Sequence, residues 1–305
     1  VHIVASILLL ECRSREQKHI YFVSVSMGKS DTLTTSRAFK DANREKNMDL
    51  KLRGSRVIVT AGANGIGLKI AERFLSEGAF VYICDVDESA LGLAKKKHPS
   101  LMTGLCDVTK REVVSVMIEE AIQVLGGLDC LVNNAGIAGP TGAFHEIDPK
   151  DWDRCIEVCL TGQFNCARLV IEQLKMSKNA SIINLSSAAG RFGFPNRAPY
   201  SAAKWGVIGF TKSLSMELGD FGIRCNAVLP GPVDGTRIQS VIQEKASIAG
   251  QTPEEFTKTW LSMASIKELI DPQQLADLIA FVASPLGRTI SGQALNVDAD
   301  LQCLM

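Results

Sequence analysis

The sequence predicts an α/β fold: a doubly wound, seven-stranded and mostly parallel sheet with helices on both faces. Two observations predict it. From residue 56 onward, short apolar runs alternate with longer amphipathic ones, the pattern of βαβ units. A glycine-rich stretch, Thr60-Ala61-Gly62-Ala63-Asn64-Gly65-Ile66-Gly67, falls where the first apolar run gives way to the first amphipathic one.

In order, the strands are expected at Arg56–Thr60, Phe80–Cys84, Leu101–Cys106, Leu128–Asn133, Ser181–Leu185, Ile223–Leu229 and Ala294–Val297. Helices fill the intervals. A long one from about Pro149 to Met176 separates strands four and five, and another, carrying Tyr200 and Lys204, separates five and six. Residues Val233–Met263, punctuated by Gly235, Gly250 and Pro253, read as an inserted flap of short helices. The flap falls near the carboxyl edge of the sheet, where open α/β sheets bind ligands. No internal repeat is visible.

At 305 residues, with 46% hydrophobic and 22% charged content, the chain can bury a large core in a single domain. Its 33 Lys and Arg balance 33 Asp and Glu, which argues against a nucleic-acid or anionic-membrane partner and for a small-molecule substrate. Nine cysteines are scattered, several within apolar runs, with no metal-type pairing. They read as reduced, mostly buried thiols of a cytoplasmic protein, and no metal site is expected.

Residues 1–47 have a different character. Val1–Leu10 is apolar but too short to span a bilayer, lacks a basic flank, and is followed by the charged stretch Glu11–Lys18. Lys29–Asn47 is polar and without period. The expectation is an extension or disordered tail over 1–47, arising from an upstream start, then one domain over 48–305 with Met48 as the functional start.

The turn after strand one presents backbone amides and a helix N-terminus suited to a pyrophosphate, with glycines permitting close approach. This is the doubly wound Rossmann arrangement. Candidate cofactor contacts are Gly62, Asn64, Gly65, Ile66 and Gly67, although a plain tight connection has the same composition. Asp85 ends strand two, where a carboxylate accepts hydrogen bonds from the adenosine ribose hydroxyls and repels a 2′-phosphate. No Arg or Lys lies between Thr60 and Gly67, so NAD is expected over NADP. The alternative role for Asp85, beside Asp87, is a helix cap. Asp107 and Val108 follow strand three, where the carboxylate can meet the adenine amino group.

Tyr200 and Lys204 stand four apart, hence on one helix face, which lets the ammonium lie near the phenol. A cation beside a phenol favours its ionised form, which a proton-transferring tyrosine needs.

Taken in register, the Gly-rich turn, Asn133-Asn134-Ala135-Gly136, Ser186-Ser187, Tyr200-x-x-x-Lys204 and Pro230-Gly231 resemble the short-chain dehydrogenase/reductase family over roughly residues 50–298. The resemblance implies that Tyr200 is the acid/base and that Ser187, thirteen residues before it, orients the substrate oxygen. It also implies that Lys204 bonds the nicotinamide ribose and assists Tyr200, and that Asn133 to Gly136 shape the floor beneath the cofactor. Pro230, Gly231 and Val233 would border the nicotinamide. The expected function is interconversion of a secondary alcohol and a ketone. The family's paired long helices further imply a homodimer or homotetramer, through Trp152–Met176 and Tyr200–Leu218. Trp205, Val207, Ile208 and Phe210 are compatible with such an interface, or with burial in one chain.

The sequence departs from the family pattern at three places. Cys159 stands where an Asn is usual, in Val158-Cys159-Leu160-Thr161-Gly162, and a thiol does not reproduce the amide's separate donor and acceptor. The resemblance places a helix irregularity there, whose backbone carbonyl holds a water of the proton relay. Ala61 replaces the first glycine of the turn, and Gly235 occupies a common Thr position, with Thr236 one residue late.

Arg191, Phe192, Phe194, Asn196 and Arg197 precede Tyr200, and Arg237, Gln239 and Trp260 lie in the flap. The arginines are either clamps for a carboxylate or phosphate or solvated charges. This lining favours a sugar, polyol or hydroxy acid over a long acyl chain or steroid. Alternative functions are an NAD-binding protein with weak or lost turnover, supported only by Cys159, and a 3-oxoacyl thioester reductase. An epimerase or dehydratase would need more chain after strand six.

Overall fold

The computed structural model describes residues 48–304. The expected extension over 1–47 lies outside them. Seven strands form one sheet: β1 (Arg56–Thr60), β2 (Phe80–Asp85), β3 (Met102–Leu105), β4 (Cys130–Asn133), β5 (Ser181–Leu185), β6 (Arg224–Pro230) and β7 (Ala294–Val297). They lie in the order β3-β2-β1-β4-β5-β6-β7, with every neighbouring pair parallel. The order reverses between β1 and β4, which opens a crevice at their carboxyl ends.

Side-chain alternation sorts the core into two layers. Val57, Val59, Val81 and Ile83 face one side, packed with Ile70 and Phe74 of α1 (Gly65–Ser76) and with α2 (Glu88–Lys97). Ile58, Tyr82, Leu131 and Ile182 face the other, against α3 (Arg111–Leu125). The central strands β4, β5 and β6 are buried along their whole length, as a sheet covered on both faces requires.

The helix expected from Pro149 to Met176 is not continuous. It runs as α4 (Pro149–Ile156), a π-helical turn (Glu157–Thr161) and α5 (Gly162–Leu174). The Gly162 amide bonds the Glu157 carbonyl, five residues back, instead of four. Next come α6 (Ala198–Leu218), which carries Tyr200 and Lys204, then α7 (Thr236–Ala249) and α8 (Pro253–Ser262), and finally α9 (Pro272–Ala283). Helix α9 returns to pack on α1 through Leu275 and Ile279. The expected flap is thus two helices, held by a small core of Val241, Ile242, Phe256, Trp260 and Leu301.

At the opposite end of the sheet, Arg56 grips Asp129 through Nε and Nη2, both at 2.8 Å, and fixes β1 against β4. Of the described cysteines all are buried except Cys303. Among the described residues no helix is long and apolar enough to cross a membrane.

Candidate active site

The turn after β1 is shaped by close contacts. Ala61 takes φ 49°, the left-handed region that glycine favours, which explains the family's preference and marks strain in this chain. A Cβ on Gly62 would stand 2.7 Å from Ile83, and its amide bonds Cys84 O at 3.0 Å. Gly62 therefore seats the turn on β2. A Cβ on Gly67 would stand 2.1 Å from Ala61 O, so helix α1 begins pressed onto the turn. From below, Asn134 Nδ2 donates to Thr60 O and Ala61 O at 2.9 and 3.0 Å, and Thr60 Oγ1 accepts the amides of Asn134 and Ala135. Asn64 gives α1 no side-chain cap, and no acid lies in its first turn. A helix N-terminus presented in this way suits a phosphate, so a dinucleotide fits the residues present.

Asp85 ends β2 and accepts the amides of Ala63 at 3.1 Å and Val86 at 2.8 Å. Helix α2 is capped by Asp87, whose carboxylate accepts Ala90 N, so the cap role falls to the neighbour. Asp107 behaves differently from the expectation. Its Oδ1 is taken by the amide and hydroxyl of Thr109, and Oδ2 faces Arg154 Nη2 at 3.3 Å. Burial acts to raise this carboxyl, but those bonds and the Arg154 charge hold it below the usual range. Arg154, which no sequence motif signals, lines the same end of the cavity with Val108.

Ser187, Tyr200 and Lys204 meet at the other end. Lys204 is 3% exposed, lies 5.6 Å from the Tyr200 ring centroid, and donates to Leu185 O at 2.8 Å. Its own carbonyl accepts Ser186 Oγ at 2.7 Å, which joins α6 to the end of β5. Gly190 makes that approach possible, since a Cβ there would stand 2.4 Å from Ser186 Oγ. Ser187 Oγ accepts Ala189 N at 3.1 Å.

The irregular turn at Glu157–Thr161 places Cys159 beside this group. Its Sγ spans both the amide and the carbonyl of Ile137, each at 3.4 Å, so the thiol does engage a donor and an acceptor. The facing Cys155 thiol holds Cys159 below the usual thiol range against the opposing effect of burial, and the Lys204 ammonium adds to the lowering. In exchange Cys155 is pushed up.

One cavity of about 490 Å³ joins the two ends. Asn64, Gly65, Ile66, Gly67, Asp85, Asp107, Val108, Asn134, Ala135 and Gly136 line it, as do Pro230, Gly231, Val233 and the three catalytic candidates. Gly235 sits at φ 144° before α7, a conformation that a Thr would adopt only under strain, and Thr236 begins the helix. Arg197 is buried, not solvated, and Trp260 and Arg237 also reach the cavity. A second hollow of about 590 Å³ between α7 and α8 holds none of the motif residues. Among the described residues no His, Cys, Asp and Glu cluster could hold a metal.

A family model described as enoyl-(acyl carrier protein) reductase matches residues 60–300. The 3-oxoacyl-(acyl-carrier-protein) reductase FabG of Thermotoga maritima is 34% identical over 260 residues, covering 83% of this chain and 99% of that protein. The crystal structure of a single-substitution variant of actinorhodin polyketide ketoreductase with NADPH is 33% identical and superposes with a TM-score of 0.77 over 80% of this chain and 96% of that one. The structure of NAD+-bound xylitol dehydrogenase is 25% identical, with a TM-score of 0.78 over 81% and 98%. Likeness of this extent takes in the turn, the crevice and the tyrosine helix together, and the chain belongs to the short-chain dehydrogenase/reductase family.

Proposed function

We propose that the protein is an NAD-dependent oxidoreductase that interconverts a secondary alcohol and a ketone on a small polar substrate, such as a sugar, polyol or hydroxy acid. The observation that carries this reading is the meeting of Tyr200, Lys204 and Ser187 in the cavity that begins at the glycine-rich turn. The turn and Asp85 would hold the dinucleotide, which supplies the hydride acceptor when bound. Ser187 Oγ fixes the substrate oxygen and the Tyr200 hydroxyl exchanges its proton. Lys204 supplies a positive charge beside the phenol, in a site where its burial excludes competing solvent. Asp85 supports NAD over NADP, because a 2′-phosphate would meet a carboxylate.

The test is an oxidation screen of polyols, sugars and hydroxy acids with each cofactor, read as absorbance of reduced nicotinamide. Tyr200→Phe is expected to abolish turnover while NAD still binds. Turnover that survives this change would sink the assignment. The similarity to FabG favours one second reading, a 3-oxoacyl thioester reductase. Faster reduction of an acetoacetyl thioester than oxidation of any polar alcohol would select it.

We also propose a homodimer or homotetramer through α5 and α6. Trp205 and Phe164 stay exposed on these helices, whereas Val207 is buried within the chain and leaves the expected interface set. A monomer in light scattering would overturn the assembly.

A further inference from the structure

The wall of the cavity beyond Tyr200 carries buried polar side chains whose donors the fold satisfies only in part. Arg197 is 2% exposed, and its guanidinium lies 5.4 Å from the ring centroids of both Tyr200 and Phe194. It donates to Ala138 O and, at 3.3 Å, to Thr141 Oγ1. Among the described residues its Nε has no partner. The acid in its network is Glu244, reached only through the Thr141 hydroxyl. Trp260 is 4% exposed and packs against Phe194 and Phe256, and among the described residues its Nε1 also lacks a partner. Native interiors rarely leave such donors unpaired. Both residues line the cavity, so an accepting ligand bound against them would satisfy these donors once the side chains turn toward it.

A third donor closes the same region. Arg237, at the start of α7, bonds Gly136 O at 2.8 Å, while Arg197 bonds Ala138 O. Two residues of extended chain span no more than about 7 Å, so both guanidinium groups are anchored on one short loop, and both residues line the cavity. Around the reacting end the cavity is lined by Arg197, Lys204 and Arg237 against one acid, Asp234, whereas Asp85, Asp87 and Asp107 cluster at the adenosine end. A neutral polyol could accept from the indole, yet it would bring no opposing charge to the buried guanidinium, whose acid, Glu244, stands beyond the Thr141 hydroxyl. A carboxylate answers both, because its two oxygens accept several N–H groups at once and carry the opposing charge.

We propose that Arg197, Trp260 and Arg237 form an oxyanion subsite, and that the substrate is a hydroxy acid whose carboxylate docks there while its carbinol faces Tyr200 and Ser187. This rests on the dehydrogenase reading above. The carboxylate takes no part in the bond changes: the carbinol carbon loses hydride to NAD, and its hydroxyl proton passes to Tyr200.

The full chain with NAD is assayed on a panel of hydroxy acids, each beside its own methyl ester. The expected kcat/KM is at least about tenfold higher for the acid, the scale of one charge-assisted hydrogen bond. Trp260→Phe keeps an aromatic side chain and removes the donor, and Arg237→Gln removes an exposed charge. Each is expected to lower the acid-to-ester ratio about tenfold, chiefly through KM for the acid. Arg197→Met is expected to do the same, and the other two variants decide the matter should it fail to fold. Esters turned over as well as acids, or a ratio unmoved by Trp260→Phe and Arg237→Gln, would overturn the subsite and leave the dehydrogenase standing. No turnover of either member of any pair by protein that binds NAD would overturn the dehydrogenase reading and the subsite with it.

Discussion

Cys159 Sγ lies 3.4 Å from both the amide nitrogen and the carbonyl oxygen of Ile137, so one sulfur ties the π-helical turn to the loop after β4. An amide side chain would do this with two atoms, and a thiol does it with one, through longer and weaker bonds. The irregular turn persists without the family's Asn. Cys159→Ala removes both contacts and leaves a gap in a fully buried place, and should lower the unfolding free energy by about 1–2 kcal/mol. Turnover should fall while NAD affinity holds. Cys159→Ser keeps a donor and an acceptor and should retain more activity than the Ala variant. An Ala variant as fast and as stable as the parent would show that the sulfur supports nothing.

Ala61 carries the turn's strain. At φ 49° an L-residue pays a penalty that glycine avoids, about 1–2 kcal/mol, partly offset by glycine's freer unfolded chain. Ala61→Gly should therefore raise stability by about 0.5–1 kcal/mol, visible as a higher urea midpoint. Dinucleotide affinity should be equal or better, since the turn keeps its Asn134 clamps. A loss of stability would mean that the Ala61 methyl makes contacts worth more than the strain.

Asp85 is poised to discriminate between cofactors because its carboxylate sits at the end of β2, fixed by the Ala63 and Val86 amides. Asp85→Asn keeps the shape and removes the charge. The ratio of kcat/KM for NAD to that for NADP should drop about tenfold, both because ribose binding weakens and because repulsion of a 2′-phosphate ends. A parent protein that prefers NADP would refute the assignment at once.

The strands were legible because central parallel strands are buried on both faces and are largely apolar, as Val57 to Val59 and the pair Ile182 and Ile183 are. Strand ends were less so, since β2 extends one residue to Asp85 and β6 starts one later, at Arg224. The π-helical turn was not read from periodicity, and only the family resemblance pointed to it. Arg154 escaped notice because its partner, Asp107, is 47 residues away and nothing local signals the pair. Arg197 was open between a ligand clamp and a solvated charge, and the structure buries it against Phe194 and Tyr200, with the Ala138 carbonyl and the Thr141 hydroxyl receiving its donors. Gly62 matched a cofactor motif and also seats the turn on β2, a role that only the proximity of Ile83 reveals.

Glu72 offers a test of the fold away from the site. Its carboxylate gathers Lys69 at 2.9 Å, Lys97 at 2.7 Å and His98 at 2.8 Å, joining α1 to the end of α2. Burial alone would raise this carboxyl, but hydrogen bonds from Lys97, Lys69 and His98 outweigh it and hold the group at about 2, below its ordinary 4.5. A folded value below the unfolded one means that the unfolded chain binds the proton more tightly. The contribution to stability is thus complete above about 4.5 and is lost as pH falls toward about 2. Both lysines reach solvent, so the gain at neutral pH is at most about 1 kcal/mol. Glu72→Gln should lower the urea midpoint slightly near neutrality, and the gap from the parent should narrow as pH is taken below 4.5. A gap that stays constant across that range would show that the carboxylate charge plays no part in joining the two helices.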